Sequence, residues 1–194
     1  GYYNQLMESK DAQEQQWGRF FCRLEYENLY NALKICLEKQ ESIDIFFCLD
    51  KYFELVNDIQ SRLKLSEFVC QAQKAYPSEL RTGEIGYEIV MALERLAAGY
   101  LQTQKYQEAR ESYQKIVELL QQLSGVEERQ KHSALAGTYH NLGRVAQELR
   151  EWEQARAYYQ QALDIKIEFS ERLSQASTYH NLGRVAQELR EWEQ

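Results

Sequence analysis

Side chains able to carry proton transfer, nucleophilic attack or metal binding are few here and poorly grouped. The three histidines are His132, His140 and His180. His140 and His180 hold the same place in two copies of TYHNLGRVAQELREWEQ, at 138–154 and 178–194, so they count as one observation. A catalytic histidine needs a nucleophile or a metal held beside it, and the pattern offers neither. The cysteines, Cys22, Cys36, Cys48 and Cys70, form no CxxC pair, whereas metal sites favour close-spaced ligands. On apolar stretches such as NALKICLEK they read as small core residues of a reducing compartment. The glutamates mostly follow helix-surface spacing and read as solvated faces. No G-x-x-x-x-G-K-(S/T) loop occurs. The expectation is a chain with no catalytic residue, no metal and no cofactor, and not an enzyme.

What the doubled phrase does offer is recognition chemistry. An asparagine amide donates and accepts at once, matching a peptide backbone. An arginine presents a planar fork suited to carboxylates. A histidine could add pH sensitivity. These types recur together as His140, Asn141, Arg144 and Gln147, then His180, Asn181, Arg184 and Gln187.

The elements that must position them follow from periodicity. Tyr139, Leu142, Val145, Ala146 and Leu149 fall on one face of a helix. Trp152, Ala155, Tyr158, Tyr159, Ala162 and Leu163 form a second such set. Each unit is therefore two amphipathic helices with a turn near Arg150–Glu151. Gly143 inside a helix costs about 1 kcal/mol relative to alanine, so close approach of a second helix is its expected reason. The wider composition agrees. With one proline and nine glycines in 194 residues, the turn punctuation of a strand-rich fold is missing. Helix formers dominate, and the fold class expected is all-α.

Tyr139, Leu142-Gly143, Ala146, Ala155, Tyr159 and Ala162 together resemble the tetratricopeptide repeat (TPR) motif. The 40-residue offset between copies exceeds the usual period of about 34 and is similar to the longer repeats of Pins-type adaptors and kinesin light chains. The resemblance implies a right-handed superhelical solenoid of antiparallel helix pairs, the first helix of each pair lining the concave side. Gly137, His140, Asn141, Arg144 and Gln147 would then face a partner groove, followed by Ser177, His180, Asn181, Arg184 and Gln187. A more divergent unit aligns Leu96 with Leu142, Ala97 with Gly143, Ala109 with Ala155 and Tyr113 with Tyr159. It offers Met91, Glu94, Arg95, Ala98 and Leu101 to the groove, with a break expected at Gly125. In the relatives the asparagine before Leu-Gly lines the groove, which carries that role to Asn141 and Asn181. The competing reading is that these asparagines bridge adjacent helices and that Arg144 and Arg184 pair with local glutamates. The division expected is a divergent helical arm over 1–84 and repeats over 85–194, with units at about 90–124, 136–170 and 176–194, the last truncated.

The N-terminal part reads as one amphipathic helix over WGRFFCRLEYENLYNALKICLEK. Phe21, Leu24, Leu29, Ala32, Leu33 and Cys36 share or flank its face, with Asn28 beside it, an asparagine expected to be buried against a loop. A weaker unit with two helical patterns follows over 42–76. The string Glu25-x-Glu27-Asn28-Leu29-x-x-Ala32-Leu33 resembles the segment that opens the C-terminal helical arm of bacterial STAND-type signalling NTPases. This implies a nucleotide module elsewhere in a larger protein, with the present chain as its sensor arm. The alternative is a freestanding TPR scaffold.

The net charge of −7 opposes nonspecific nucleic-acid binding, which needs a basic surface. No apolar run of membrane-spanning length, about 18 residues or more, occurs. The expected partner is a protein or peptide with acidic groups, met in the cytoplasm, not nucleic acid and not a membrane. Gly1 reads as a cloning remnant. The second copy stops where ARAYYQQAL should continue, which suggests a missing continuation and predicts a self-associating C-terminal edge.

Overall fold

The structure, a computed structural model, describes residues 2–83, 85–169 and 172–191, without the side chains of 172, 173, 190 and 191. Among the described residues every regular element is helical: α1 (Tyr2–Glu8), α2 (Ala12–Leu24), α3 (Tyr26–Lys39), α4 (Asp44–Leu55), α5 (Ile59–Gln73), α6 (Ser78–Thr82), α7 (Gly86–Gln102), α8 (Tyr106–Gln122), α9 (Glu128–Glu148), α10 (Trp152–Glu168) and α11 (Arg172–Glu191). The fold class is all-α, a solenoid-type arrangement of antiparallel helix pairs. The chain divides into two compact units, 1–81 and 82–194.

In the first unit the expected single N-terminal helix is two helices. The chain turns at Glu25, whose φ of −94° and ψ of 10° leave the helical range. Cys22 of α2 and Leu33 of α3 are thereby both fully buried. Leu24, expected to share the buried stripe, is instead 68% exposed, because its face does not continue past the turn. Asn28 is exposed too, and its amide donates to the Glu25 carboxylate at 2.7 Å. The expected buried asparagine is in fact a surface brace beside the turn. Gly18 lets α1 approach α2, since a Cβ there would meet the Met7 backbone nitrogen at 2.9 Å. The buried Asp50 carboxylate of α4 takes a two-pronged contact from Arg62 of α5, at 2.6 and 3.0 Å. Such a pair satisfies a charge that would be costly to bury alone. Cys22, Cys48 and Cys70 are buried and Cys36 is half-buried, all as free thiols. A hydrogen bond between the Cys22 and Cys48 sulfurs, together with burial, pushes the Cys22 thiol up and the bond itself draws Cys48 down.

In the second unit each helix packs on the next in chain order, α7 through α11, as in a solenoid whose elements contact only their neighbours. The turns leave α7 and α9 through left-handed residues that are not glycine: Gln104 at φ 61° and Arg150 at φ 59°. Each ends its helix in a Schellman pattern. The Lys105 amide donates to the Tyr100 carbonyl at 2.8 Å and the Glu151 amide to the Ala146 carbonyl at 2.9 Å. Gly125, at φ 76°, lies in the connection between α8 and α9. α9 begins at Glu128, eight positions before the start read from the repeat pattern.

The α9–α10 contact is the tightest in the unit. A Cβ on Gly143 would lie 2.7 Å from the ring of Tyr159, which is fully buried. Above it Tyr139 and Tyr158 stack at 6.4 Å. Gly183, the same residue in the second copy, has nothing within 4 Å. Gly143→Ala should therefore destabilise the fold by about 1–2 kcal/mol through overpacking. Gly183→Ala should stabilise it by about 0.5–1 kcal/mol through helix propensity. Urea midpoints of the two variants, read by circular dichroism, should move in opposite directions.

Candidate partner-binding groove

Two open cavities lie along the line where α7 and α9 run beside each other. One, of about 570 Å³, is lined by Tyr87 and Glu94 from α7, by Glu127, and by Arg129, Gln130, Ser133, Ala134 and Gly137 from α9. The other, of about 450 Å³, has Ala98, Leu101 and Gln102 on one side and Asn141, Arg144 and Glu148 on the other, with Tyr106 and Tyr113 of α8 below.

The eight residues singled out in the sequence fall into three situations. Asn141 and Arg144 share the second cavity. The Arg144 guanidinium is exposed and tied only loosely to the Asn141 carbonyl, at 3.4 Å. His140, Asn181 and Gln147 have their polar atoms engaged within the protein. The Asn181 amide donates to His140 Nε2 at 3.4 Å, so Nδ1 carries the proton and donates to Thr178 Oγ1 at 3.1 Å. Gln147 accepts from the Tyr159 hydroxyl at 3.2 Å. His180, Arg184 and Gln187 stand exposed on α11.

Sequence reading missed the groove floor and the residue that organises the joint behind it. Tyr106 and Tyr113 sit at first positions and aromatic positions of α8, and the alignment of Tyr113 with Tyr159 was the available signal. Tyr106 donates to Glu148 at 3.4 Å. Burial, reinforced by the Glu94 carboxylate and opposed by Arg144, raises the Tyr113 hydroxyl. Behind the groove, Lys166 of α10 is 5% exposed. Its ammonium donates to the Ser174 carbonyl at 3.0 Å and to Thr178 Oγ1 at 2.9 Å. Thr178 thus joins Lys166 to His140, linking α9, α10 and α11. No three of the His, Cys, Asp or Glu side chains among the described residues converge as a metal site, and no described helix is long and apolar enough to cross a membrane.

Paired helices in solenoid order, with a polar, aromatic-floored groove between successive first helices, define a class of helical-repeat protein. Within it, residues 134–194 match the model of the tetratricopeptide repeat family. No curated protein matches the chain in sequence. Among solved structures, the chain is similar to the Podosopora anserina putative kinesin light chain with nearly identical TPR-like repeats, at 19% identity and a TM-score of 0.58, covering 92% of this chain and 88% of that one. A second crystal structure of that putative kinesin light chain gives 19% identity and a TM-score of 0.59, covering 87% and 83%. BtubC (BKLC) from P. vanneervenii matches at 19% identity and a TM-score of 0.55, covering 91% of this chain and 66% of BtubC, just under two thirds of its length. At such identities the likeness establishes the fold.

The joint behind the groove also sets the protonation of His140, one of the two histidines offered for pH sensitivity. Burial first, then the positive charges of Lys166 on α10 and Arg144 on α9, bring the His140 pKa down from 6.5 to about 4. Its other neighbours are uncharged: Tyr159 against the ring edge, at 5.3 Å between centroids, and Thr178 and Asn181 of α11. Between pH 6.5 and 4 the unfolded chain binds a proton that the folded chain refuses, so this contribution is complete above pH 6.5 and lost as pH falls. The ring is partly solvated, which reduces the effect to about 1 kcal/mol between pH 7 and 5. His140→Gln should remove that much of the pH dependence of the urea midpoint over this range.

Proposed function

We propose that the chain is a protein-interaction module that captures a peptide in the groove between α7 and α9. The carrying observation is the meeting of Asn141, Arg144 and Glu148 with Tyr106 and Tyr113 in one cavity. The asparagine amide suits a peptide backbone and the exposed guanidinium suits a carboxylate. The tyrosines supply rigid amphipathic area of the kind that anchors interfaces. The tetratricopeptide match over 134–194 supports protein partners. The same reading takes 85–194 as the repeat array, with units at about 90–124, 136–170 and 176–194, and 1–84 as a divergent arm. Asn141 and Arg144 lead the site, and His180, Asn181, Arg184 and Gln187 form the next rung along α11. His140 and Gln147 act as the wall behind it.

In its finer form the reading makes this the cytoplasmic sensor arm of a larger STAND-type signalling protein. The string from Glu25 to Leu33 supports that placement. A nucleotide-binding P-loop encoded upstream in the same reading frame is the expected finding. A native start codon close to Tyr2 would favour the freestanding scaffold instead.

For the groove itself, a library of acidic peptides panned against the chain should yield binders. Asn141→Ala combined with Arg144→Ala should weaken the best of them by about tenfold or more, with the thermal midpoint nearly unchanged because both side chains sit at the surface. Asn181→Ala should instead lower the midpoint, since it removes a partner of His140. Peptides that bind the double variant as well as the wild type would refute the groove.

A further inference from the structure

The four cysteines of the first unit stand in unlike surroundings. Cys22 of α2 is fully buried, Cys48 of α4 and Cys70 of α5 are nearly so, and Cys36 of α3 is half-buried. Two of them meet. The Cys22 and Cys48 sulfurs share a hydrogen bond, in the region where α2 packs on α4 and α1 packs on both. These two differ in access. Cys48 lines a cavity of about 290 Å³ with Tyr2 and Tyr3 of α1, Leu29 of α3, and Asp44 and Ile45 of α4. Cys22 has no exposed surface and is reached only through Cys48. The hydrogen bond divides the roles in the same sense. It keeps the proton on Cys22 and favours the thiolate on Cys48, the form that attacks. Burial opposes the thiolate at Cys48, but the bond from Cys22 is the larger effect. Neither sulfur belongs to the α7–α9 groove, which lies in the other unit.

We propose that Cys48 and Cys22 form a peroxide-oxidisable pair, Cys48 the attacking sulfur and Cys22 the resolving one, whose disulfide ties α2 to α4. In the first step the Cys48 thiolate attacks one oxygen of hydrogen peroxide. The O–O bond breaks, the leaving oxygen takes a proton from solvent and departs as water, and Cys48 becomes a sulfenic acid. In the second step the Cys22 sulfur attacks the sulfenic sulfur. The S–O bond breaks, and the oxygen leaves as water with the Cys22 proton. The sulfurs are oxidised and the peroxide is reduced, so two thiols and one peroxide give one disulfide and two waters. A disulfide sets its sulfurs about 2 Å apart, and sulfurs already in hydrogen-bond contact need only a short approach to reach it. The loop so closed contains the whole of α3. Asp44 at the cavity is exposed, and its negative charge favours a neutral oxidant such as a peroxide over an anionic one.

The test treats the whole folded chain with hydrogen peroxide and maps it by mass spectrometry without reduction. Trypsin places each cysteine in its own peptide: FFCR for Cys22, ICLEK for Cys36, QESIDIFFCLDK for Cys48 and LSEFVCQAQK for Cys70. The expected product links FFCR to QESIDIFFCLDK, lowers the intact mass by two hydrogens and is reversed by dithiothreitol. Closing the loop should also raise the urea midpoint of the oxidised chain by about 1 M. Cys36→Ser and Cys70→Ser should leave the link unchanged. Cys22→Ala should stop the reaction at a Cys48 sulfenic acid, captured by dimedone. In that variant Cys48 should be labelled about tenfold faster than Cys36, although Cys36 is the more exposed. The wild-type map needs no variant, so a poorly folding Cys22→Ala chain does not shelter the assignment. Three results would overturn it: no link between Cys22 and Cys48 in the folded chain, a link that forms only in urea, or labelling of Cys36 ahead of Cys48.

Discussion

The packing of the Tyr159 ring directly on Gly143 is the constraint around which the second unit is arranged. A helix interior glycine is unfavourable by itself, yet here it lets α10 settle close enough to bury an entire aromatic ring. Once that ring is in place, its hydroxyl reaches Gln147 and its edge meets the His140 ring. The histidine is then held where it can donate to Thr178 of the following helix. One steric allowance therefore sets both the pairing of α9 with α10 and the position at which α11 joins them.

The next joint along the chain shows how the same geometry accepts different chemistry. Lys166 occupies the position that Leu120 holds in α8 under the alignment of the two units, and both are buried. The α8 version closes the joint with an apolar side chain. The α10 version closes it with an ammonium held by the Ser174 carbonyl and Thr178 Oγ1. Burial of an ammonium is tolerable only with its donors satisfied, so the α11 residues it meets are tied to one register. A Leu-type joint could slide by small amounts without leaving a polar atom unpaired; the Lys166 joint cannot. The positive charge also suppresses protonation of His140, so the joint stays neutral at the ring under ordinary conditions.

The helix pairs of the second unit were legible because a 3.6-residue period and small residues at crossing points are properties of local sequence. The turn at Arg150 was placed by the end of one apolar stripe and the start of the next, with no glycine to mark it. The break at Glu25 was not legible: the apolar period runs on through it, and Cys22 and Leu33 on either side of it are both fully buried where α4 packs on α2 and α3. For the same reason Leu24 and Asn28 were assigned to a buried face that does not exist. Lys166 was missed because a lysine reads as surface until its partners, eight and twelve residues away, are placed. The tyrosines of the groove floor come from α8, while the sequence argument considered only the first helix of each pair.

Exposure, not residue type, decides what a repeated residue can do. Asn141 and Asn181 are the same residue in the same local sequence, and a ladder of equal rungs would follow if sequence alone set their roles. Instead Asn141 faces an open cavity beside Arg144, while Asn181 has its amide on His140. At the place corresponding to His140 the preceding helix carries Glu94, which stands exposed, while Asn181 meets His140 itself. The same asparagine therefore lines an open cavity in one repeat and bridges two helices in the next.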